Sequence, residues 1–206
     1  MSIAMNRSSA RVLILGVILF GLPATARADF FIVPFFGMKF GGSTSIVDLE
    51  LAAGEKKLVL GVGALQIGDG IFGFEAEFGN MAGFFGNEEV AAVTPLVKPG
   101  SYVNDLTGSV VFALPPGVTG GGLRPYFVAG GGLIHASSED IYEVIQVRRT
   151  VPAINLGVGA IGMFTDNVGV RFDVRHLRSL TTEAPTGGVG RQISYSRFTI
   201  GLLLRP

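Results

Sequence analysis

Apolar and polar residues alternate with a period of two along most of this chain, and no segment shows a convincing helical period. Eight runs of nine to fifteen residues carry the alternation, at about 30–41, 57–68, 71–79, 102–114, 124–135, 150–164, 168–179 and 194–205. Each is bounded by Gly, Pro, Asn or Asp, the residues that end strands. The pattern is clearest in three of them. Phe72, Phe74, Ala76 and Phe78 share one face, with Glu75 and Glu77 on the other. Val170, Phe172 and Val174 alternate with Arg171, Asp173 and Arg175. Phe198, Ile200, Leu202 and Leu204 alternate with Arg197, Thr199, Gly201 and Arg205. Successive strand side chains point to opposite faces, so each strand has one greasy face and one polar or small face. Elsewhere Gly and Ala stand where these strands put charge, as Asn155, Gly157 and Gly159 do opposite Ile154, Leu156 and Val158. Eight strands close into a barrel just wide enough for side chains to fill, so a few interior charges need small residues facing them.

The connections add a rhythm. In order they contain about 15, 2, 22, 9, 14, 3 and 14 residues, long and short in alternation. The two shortest are Asp69-Gly70, a strong hairpin signal, and Thr165-Asp166-Asn167. The third short connection, Pro115 to Leu123, is the longest of its kind, and its Pro and Gly content reads as turn. Outer-membrane barrels have short periplasmic turns and longer extracellular loops. Eight strands with both ends in the periplasm place connections one, three, five and seven outside, and those are the long ones. The pattern predicts an all-β fold, an eight-stranded antiparallel up-and-down transmembrane β-barrel.

The first 28 residues follow a different pattern. Arg7 and Arg11 precede an 11-residue apolar run, Val12 to Leu22, then Pro23 and the small-residue sequence Ala26-Arg27-Ala28. That order is the layout of a secretory signal peptide. The run is too short for a spanning helix, which needs about 20 residues. Residues 1–28 are therefore expected to be a cleaved signal peptide, and residues 29–206 the barrel domain. Asp29 follows the expected cut, so there is no cysteine for lipid attachment.

Composition narrows the reading further. Gly is 31 of 206 residues, about double the ordinary share of ~7%. Mean hydropathy is +0.50, yet no later apolar run approaches the length of a spanning helix. In hydrocarbon only helices and closed barrels satisfy every backbone N–H and C=O. Without the signal segment and its three arginines, the chain has 13 basic and 16 acidic side chains, which gives no electrostatic footprint for nucleic acid. There is no cysteine, so no disulfide framework and no thiolate metal site.

The second half resembles a known family. The residues carrying the likeness are Arg124-Pro125-Tyr126-Phe127-Val128-Ala129-Gly130-Gly131-Gly132 and the longer stretch from Asn155 to Arg175, a glycine-rich strand, a Thr-Asp-Asn turn and a strand rich in Arg and acid. They resemble the small eight-stranded outer-membrane β-barrels typified by OmpA and OmpX, over most of residues 124–205. The resemblance implies the fold and is nearly silent about activity. It implies outer-membrane lipid and lipopolysaccharide as surroundings, the barrel-assembly machinery as the partner during insertion, and a monomer. Members usually end on an aromatic residue that helps this machinery recognise the last strand, whereas this sequence closes on Leu204-Arg205-Pro206.

The candidate site is a charge network inside the barrel: Glu75, Glu77, Arg171, Asp173, Arg175 and Arg197. Buried charges persist only when paired, so the expected role is a structural plug, with a gated narrow ion path as the sharper alternative. Chemistry has less support. A barrel esterase with a His-x-Ser pair would place both side chains on one face of a strand. His135-Ala136-Ser137 has that spacing but no following Asn, and His176-Leu177-Arg178-Ser179 has the wrong spacing, with Glu183 nearby. Both histidines are expected at the surface or the membrane interface. Two distant histidines give no metal cluster, and no cofactor is expected. Glu88-Glu89 and Glu139-Asp140 are expected in outer loops, with Arg148-Arg149 at the far end of the third loop. Phe30, Phe31, Phe35, Phe36, Phe40, Phe84 and Phe85 are candidates for an aromatic girdle or for the interior. The function expected is that of a non-enzymatic integral outer-membrane barrel with a structural or surface-interaction role. The alternatives are a narrow channel, a lipid-modifying barrel enzyme and a secreted soluble ligand-binding barrel, greasy inside and polar outside.

Overall fold

In a computed structural model, every strand pairs with its sequence neighbours and the eighth closes on the first. The structure describes residues 28–44, 56–84, 102–119, 122–138, 147–180 and 193–206. The strands are β1 (Ala28–Thr44), β2 (Lys57–Gly68), β3 (Phe72–Ala82), β4 (Tyr102–Ala113), β5 (Arg124–Ser138), β6 (Val147–Met163), β7 (Val168–Ser179) and β8 (Ile193–Leu204). All eight pairings are antiparallel. The expected eight-stranded up-and-down barrel is what the chain forms.

The register fixes the geometry. From Phe30 the partners run through Gln66, Phe74, Val110, Ala129, Leu156, His176 and Ser196, and return to β1 at Phe40. The path re-enters the same strand ten residues on, from 30 to 40, so the strands tilt by about 40° to the barrel axis. A bulge between Phe40 and Gly42 adjusts the closing seam.

Two ends follow from the connections. The strand ends joined by the three short connections lie at one end of the barrel with Ala28 and Leu204, and the strand ends that flank the longer connections lie at the other. The second short connection holds a one-turn helix, α1 (Pro116–Thr119), which its Pro and Gly content did not reveal. At this end Arg124 ties two turns together, donating from Nε to the Leu114 carbonyl (2.7 Å), from Nη1 to Gly68 (2.8 Å) and from Nη2 to Gly70 (2.5 Å). The third long connection is shorter than expected, because β5 and β6 stay paired past its expected ends. Arg148 and Arg149 therefore belong to β6, opposite Ser137 and Ala136, and not to the loop. Glu88, Glu89, Glu139, Asp140 and Phe85 lie outside the described residues.

Burial alternates as the pattern requires, with the greasy faces outward. Phe36, Phe74, Val158 and Leu202 are exposed, whereas Glu75, Arg175 and Arg197 are buried. Of the candidate aromatics, Phe30, Phe36 and Phe40 face out and Phe31, Phe35 and Phe84 face in. A partial girdle stands near the short-turn end, where Phe72, Phe112 and Phe127 are register neighbours with ring centroids 5.3 and 6.2 Å apart. Toward the long-loop end the outer face turns polar. Asn80, Asn104, His135 and Thr150 form one row, with Asn80 donating to Asn104 at 2.6 Å and His135 Nδ1 2.8 Å from Thr150 Oγ1.

This greasy waist makes a direct prediction. Val62→Arg on the outer face of β2 should cost about 2–4 kcal/mol of stability in lipid bilayers, as an arginine does near the bilayer midplane. Urea unfolding in phosphatidylcholine vesicles measures it, and a change within about 0.5 kcal/mol would mark an ordinary water-facing position.

Candidate functional site

Each strand delivers an inward row with its own order. From the long-loop end, β4 places Val103, then Asp105, Thr107 and Ser109, then Val111 and Ala113. β8 places Ile193 and Tyr195, then Arg197, Thr199 and Gly201, then Leu203. β2 places Val59, then two glycines, then Leu65 and Ile67. Closing the barrel stacks these rows into three layers. One apolar layer, toward the long loops, includes Val59, Met81, Phe84, Val103, Ile134, Leu177 and Tyr195. The other, toward the short turns, includes Phe31, Val33, Leu65, Ile67, Val111, Tyr126, Ile161 and Leu203. Between them lies a layer of charge.

All six residues singled out in the sequence lie on inward faces, and the structure brings them into one connected network. Arg171 Nη2 donates to Glu75 Oε2 at 2.8 Å and to Asp173 Oδ2 at 3.1 Å. Arg175 donates from Nη1 to Glu75 Oε1 at 2.9 Å, and from Nε and Nη2 to the two Asp173 oxygens at 3.0 Å each. Arg175 Nη1 also lies 3.5 Å from Glu77 Oε2. Arg197 pairs with Glu77 through Nη2 and with Asp105 through Nη1 at 3.0 Å. The fork of a guanidinium matches two carboxylate oxygens, which lets three arginines bridge four acids.

Four participants were not singled out. Asp105 is fully buried and completes the pairing of Arg197. Tyr195 donates to Asp105 Oδ2 at 3.0 Å from the upper apolar layer. Tyr126 in the lower layer donates to Asp173 Oδ2 and accepts from Arg171 Nε, each at 2.6 Å. Lys39 is also buried, its Nζ 4.1 Å from the Phe84 ring centroid. The buried charged residues are then four acids (Glu75, Glu77, Asp105, Asp173) and four cations (Lys39, Arg171, Arg175, Arg197). The layer balances in formal charge, as a desolvated interior demands. Alternation alone could have found Asp105, since it shares a face with Thr107 and Ser109. It could not have found Lys39 or Tyr126, whose strands are apolar on both faces there.

Glycine makes the space. A Cβ on Gly79 would fall 2.7 Å from Arg197 Nη1 and 2.7 Å from Asp105 Oδ2. One on Gly159 would fall 2.3 Å from the Tyr126 hydroxyl and 2.2 Å from the Phe172 carbonyl oxygen.

The short-turn mouth holds a cavity of about 230 Å³, lined by Asp29, Arg124, Arg205, Pro116, Thr119 and apolar residues of the lower layer. Arg205 pairs with Asp29 across it. Because Phe31, Ile67 and Ile161 belong both to its lining and to that layer, the cavity ends at the layer. Both histidines lie on the outer face. His176 Nδ1 is 3.0 Å from Ser196 Oγ and Nε2 is 3.2 Å from Ser194 Oγ. Among the described residues its partners are hydroxyls, whereas a Ser-His-acid triad orients its base with a carboxylate, and Glu183 lies outside the described residues. Among the described residues no group of three or more His, Cys, Asp or Glu is placed to hold a metal ion.

A closed eight-stranded barrel with a greasy waist, a polar collar and a paired charged interior is the architecture of small outer-membrane β-barrels. Solved structures agree on the fold. The neisserial surface protein NspA superposes with a TM-score of 0.60 at 14% identity, over 86% of this chain and 96% of that one. OprG of Pseudomonas aeruginosa gives 0.53 at 14% identity, over 88% and 97%. The N-terminal barrel of Pseudomonas aeruginosa OprF gives 0.51 at 15% identity, over 86% and 100%. No family model matches the chain, and no curated protein matches its sequence.

Two substitutions test the layer. Arg175→Met should lower stability by about 3–5 kcal/mol, since it leaves buried carboxylates uncompensated. Gly159→Val should cost about 1–3 kcal/mol by forcing Tyr126 and the β7 backbone aside. Both are measured by urea unfolding in vesicles, against Val174→Leu on the outer face of β7, which should change stability by less than about 0.5 kcal/mol.

Proposed function

We propose that this chain is an exported, monomeric outer-membrane barrel whose interior is a structural plug and whose work is done at its outer surface. The observation that carries the reading is the order of the interior: a neutralised charge layer between two apolar layers. From either mouth an ion must cross an apolar layer before it reaches the central charge layer. The arginines and acids that would attract it are already bonded to one another. A narrow channel is the weaker reading for that reason.

A soluble ligand-binding barrel would carry its charges outside, whereas this barrel buries charge and exposes Phe, Val, Leu and Ile on its outer face. The long connections would then be the variable, functional part, held above the outer leaflet by a rigid stem and free to contact lipopolysaccharide or other surfaces. Residues 1–28 would act as the cleaved signal, which leaves β1 whole from Asp29 onward. The barrel-assembly machinery would insert the mature chain, and the role would be non-enzymatic.

Fractionation and conductance test this together. The protein should partition with the outer membrane, migrate faster on gels unheated than boiled, and show no single-channel steps in planar bilayers. Recovery in the soluble periplasm with identical migration in both states would sink the barrel reading. Steady ion conductance by the folded form would sink the plug.

A further inference from the structure

Among the described side chains, the outer faces of the strands are nearly free of charge. Among the described side chains at outward strand positions, Arg178 of β7 is the one cation, and no acid stands there. Arg178 is exposed, and the described residues supply no partner for it. It sits two positions beyond His176 on the same face, at the long-loop end of β7. Its register partner on β8 is Ser194, whose hydroxyl is 3.2 Å from His176 Nε2. Ser196 holds the other ring nitrogen at 3.0 Å. A guanidinium, an imidazole and two hydroxyls therefore share one patch of the outer wall.

Directly below, toward the short turns, the wall is greasy. Leu156 is the register partner of His176, and Val174 pairs with Phe198 one step lower. All three are exposed. Elsewhere in the polar collar Asn80 bonds Asn104 and His135 bonds Thr150.

We propose that this patch binds the phosphorylated headgroup of a glycolipid in the outer leaflet. The phosphate would sit on the Arg178 guanidinium beside the Ser194 hydroxyl, and an acyl chain would lie along Leu156, Val174 and Phe198. A guanidinium offers phosphate two parallel N–H donors, the strongest common pairing for that group. Arginine facing lipid is costly at the bilayer midplane and nearly tolerated at the interface. An anionic headgroup at that height would supply the partner that the described residues do not. The apolar wall favours an anchored phosphate over a free one, since inorganic phosphate gains nothing from Leu156, Val174 or Phe198. The proposal rests on the reading of the chain as an outer-membrane barrel with its long loops outside.

The test uses the full barrel in phosphatidylcholine nanodiscs, titrated with fluorescent lipopolysaccharide and, in parallel, with the same glycolipid after removal of its phosphates. The native protein should prefer the phosphorylated form by about tenfold, the size expected for one charge-assisted contact. Arg178→Ala should lose that preference, Arg178→Lys should keep part of it, and Asn104→Ala, on β4 three strands away, should leave it unchanged. Heat-modifiable migration first shows that each variant is folded. If Arg178→Ala does not fold, Arg178→Gln, which keeps length and removes charge, carries the same comparison. Equal binding by the native protein and a folded charge-removing variant would overturn the proposal, as would equal binding of the two lipid forms. Displacement by millimolar inorganic phosphate would overturn the lipid assignment in favour of a free-anion site. Failure of the native protein to insert at all would count against the barrel reading itself, before the headgroup site is reached.

Discussion

The pairing of charge inside a dry, narrow barrel is the constraint on which the rest of this structure depends. A charge buried without a partner is too costly for any fold to carry. Four acids and four cations are buried in this interior, and the three arginines among them bridge all four acids. That arrangement fixes what may stand beside it. Gly79 and Gly159 occur where a side chain would strike a member of the network. Tyr126 and Tyr195 reach in from the two apolar layers, and each gives a hydroxyl to a carboxylate. The network also ties together strands far apart in sequence, as Arg197 of β8 does with Glu77 of β3. It therefore rewards one register over its neighbours. A one-residue slip of β3, β7 or β8 would turn that strand's charges toward the outer face.

The outer surface obeys the opposite rule. There the solvent is hydrocarbon, and the strands show it Phe, Val, Leu and Ile. Among the described residues polar side chains gather toward the long-loop end, where several bond to each other in short rows, and Gln66 of β2 stands apart near the short turns. Arg178 is the exception, an exposed charge for which the described residues supply no partner. Seen together, the two surfaces make a stem that is rigid inside and matched to a bilayer outside. A stem of this kind suits a protein whose contacts are made by its loops and its rim.

Much of the fold was legible in the sequence because a strand between lipid and a charged interior must alternate. β3, β7 and β8 carry Phe or Val on one face and Glu, Asp or Arg on the other, so both their existence and their facing could be read directly. Strand bounds failed where pairing continued past the alternating stretch, as at Arg148 and Arg149, which join β6 because β5 extends to meet them. The one-turn helix at Pro116–Thr119 was hidden because a single turn has no periodicity to detect.

The sequence by itself determined the strand count, the inverted faces and six members of the interior network, because a period of two assigns each residue a side without knowledge of its neighbours. Only the tertiary structure decided which charge meets which. Glu75 touches Arg171 and Arg175 from about a hundred residues away, and Asp105 and Lys39 join the layer because register brings their strands to the same height. Closure likewise decided that Arg178 and Ser194 share a patch. Alternation says which way a side chain points, whereas the stagger of a closed barrel sets its height and its company.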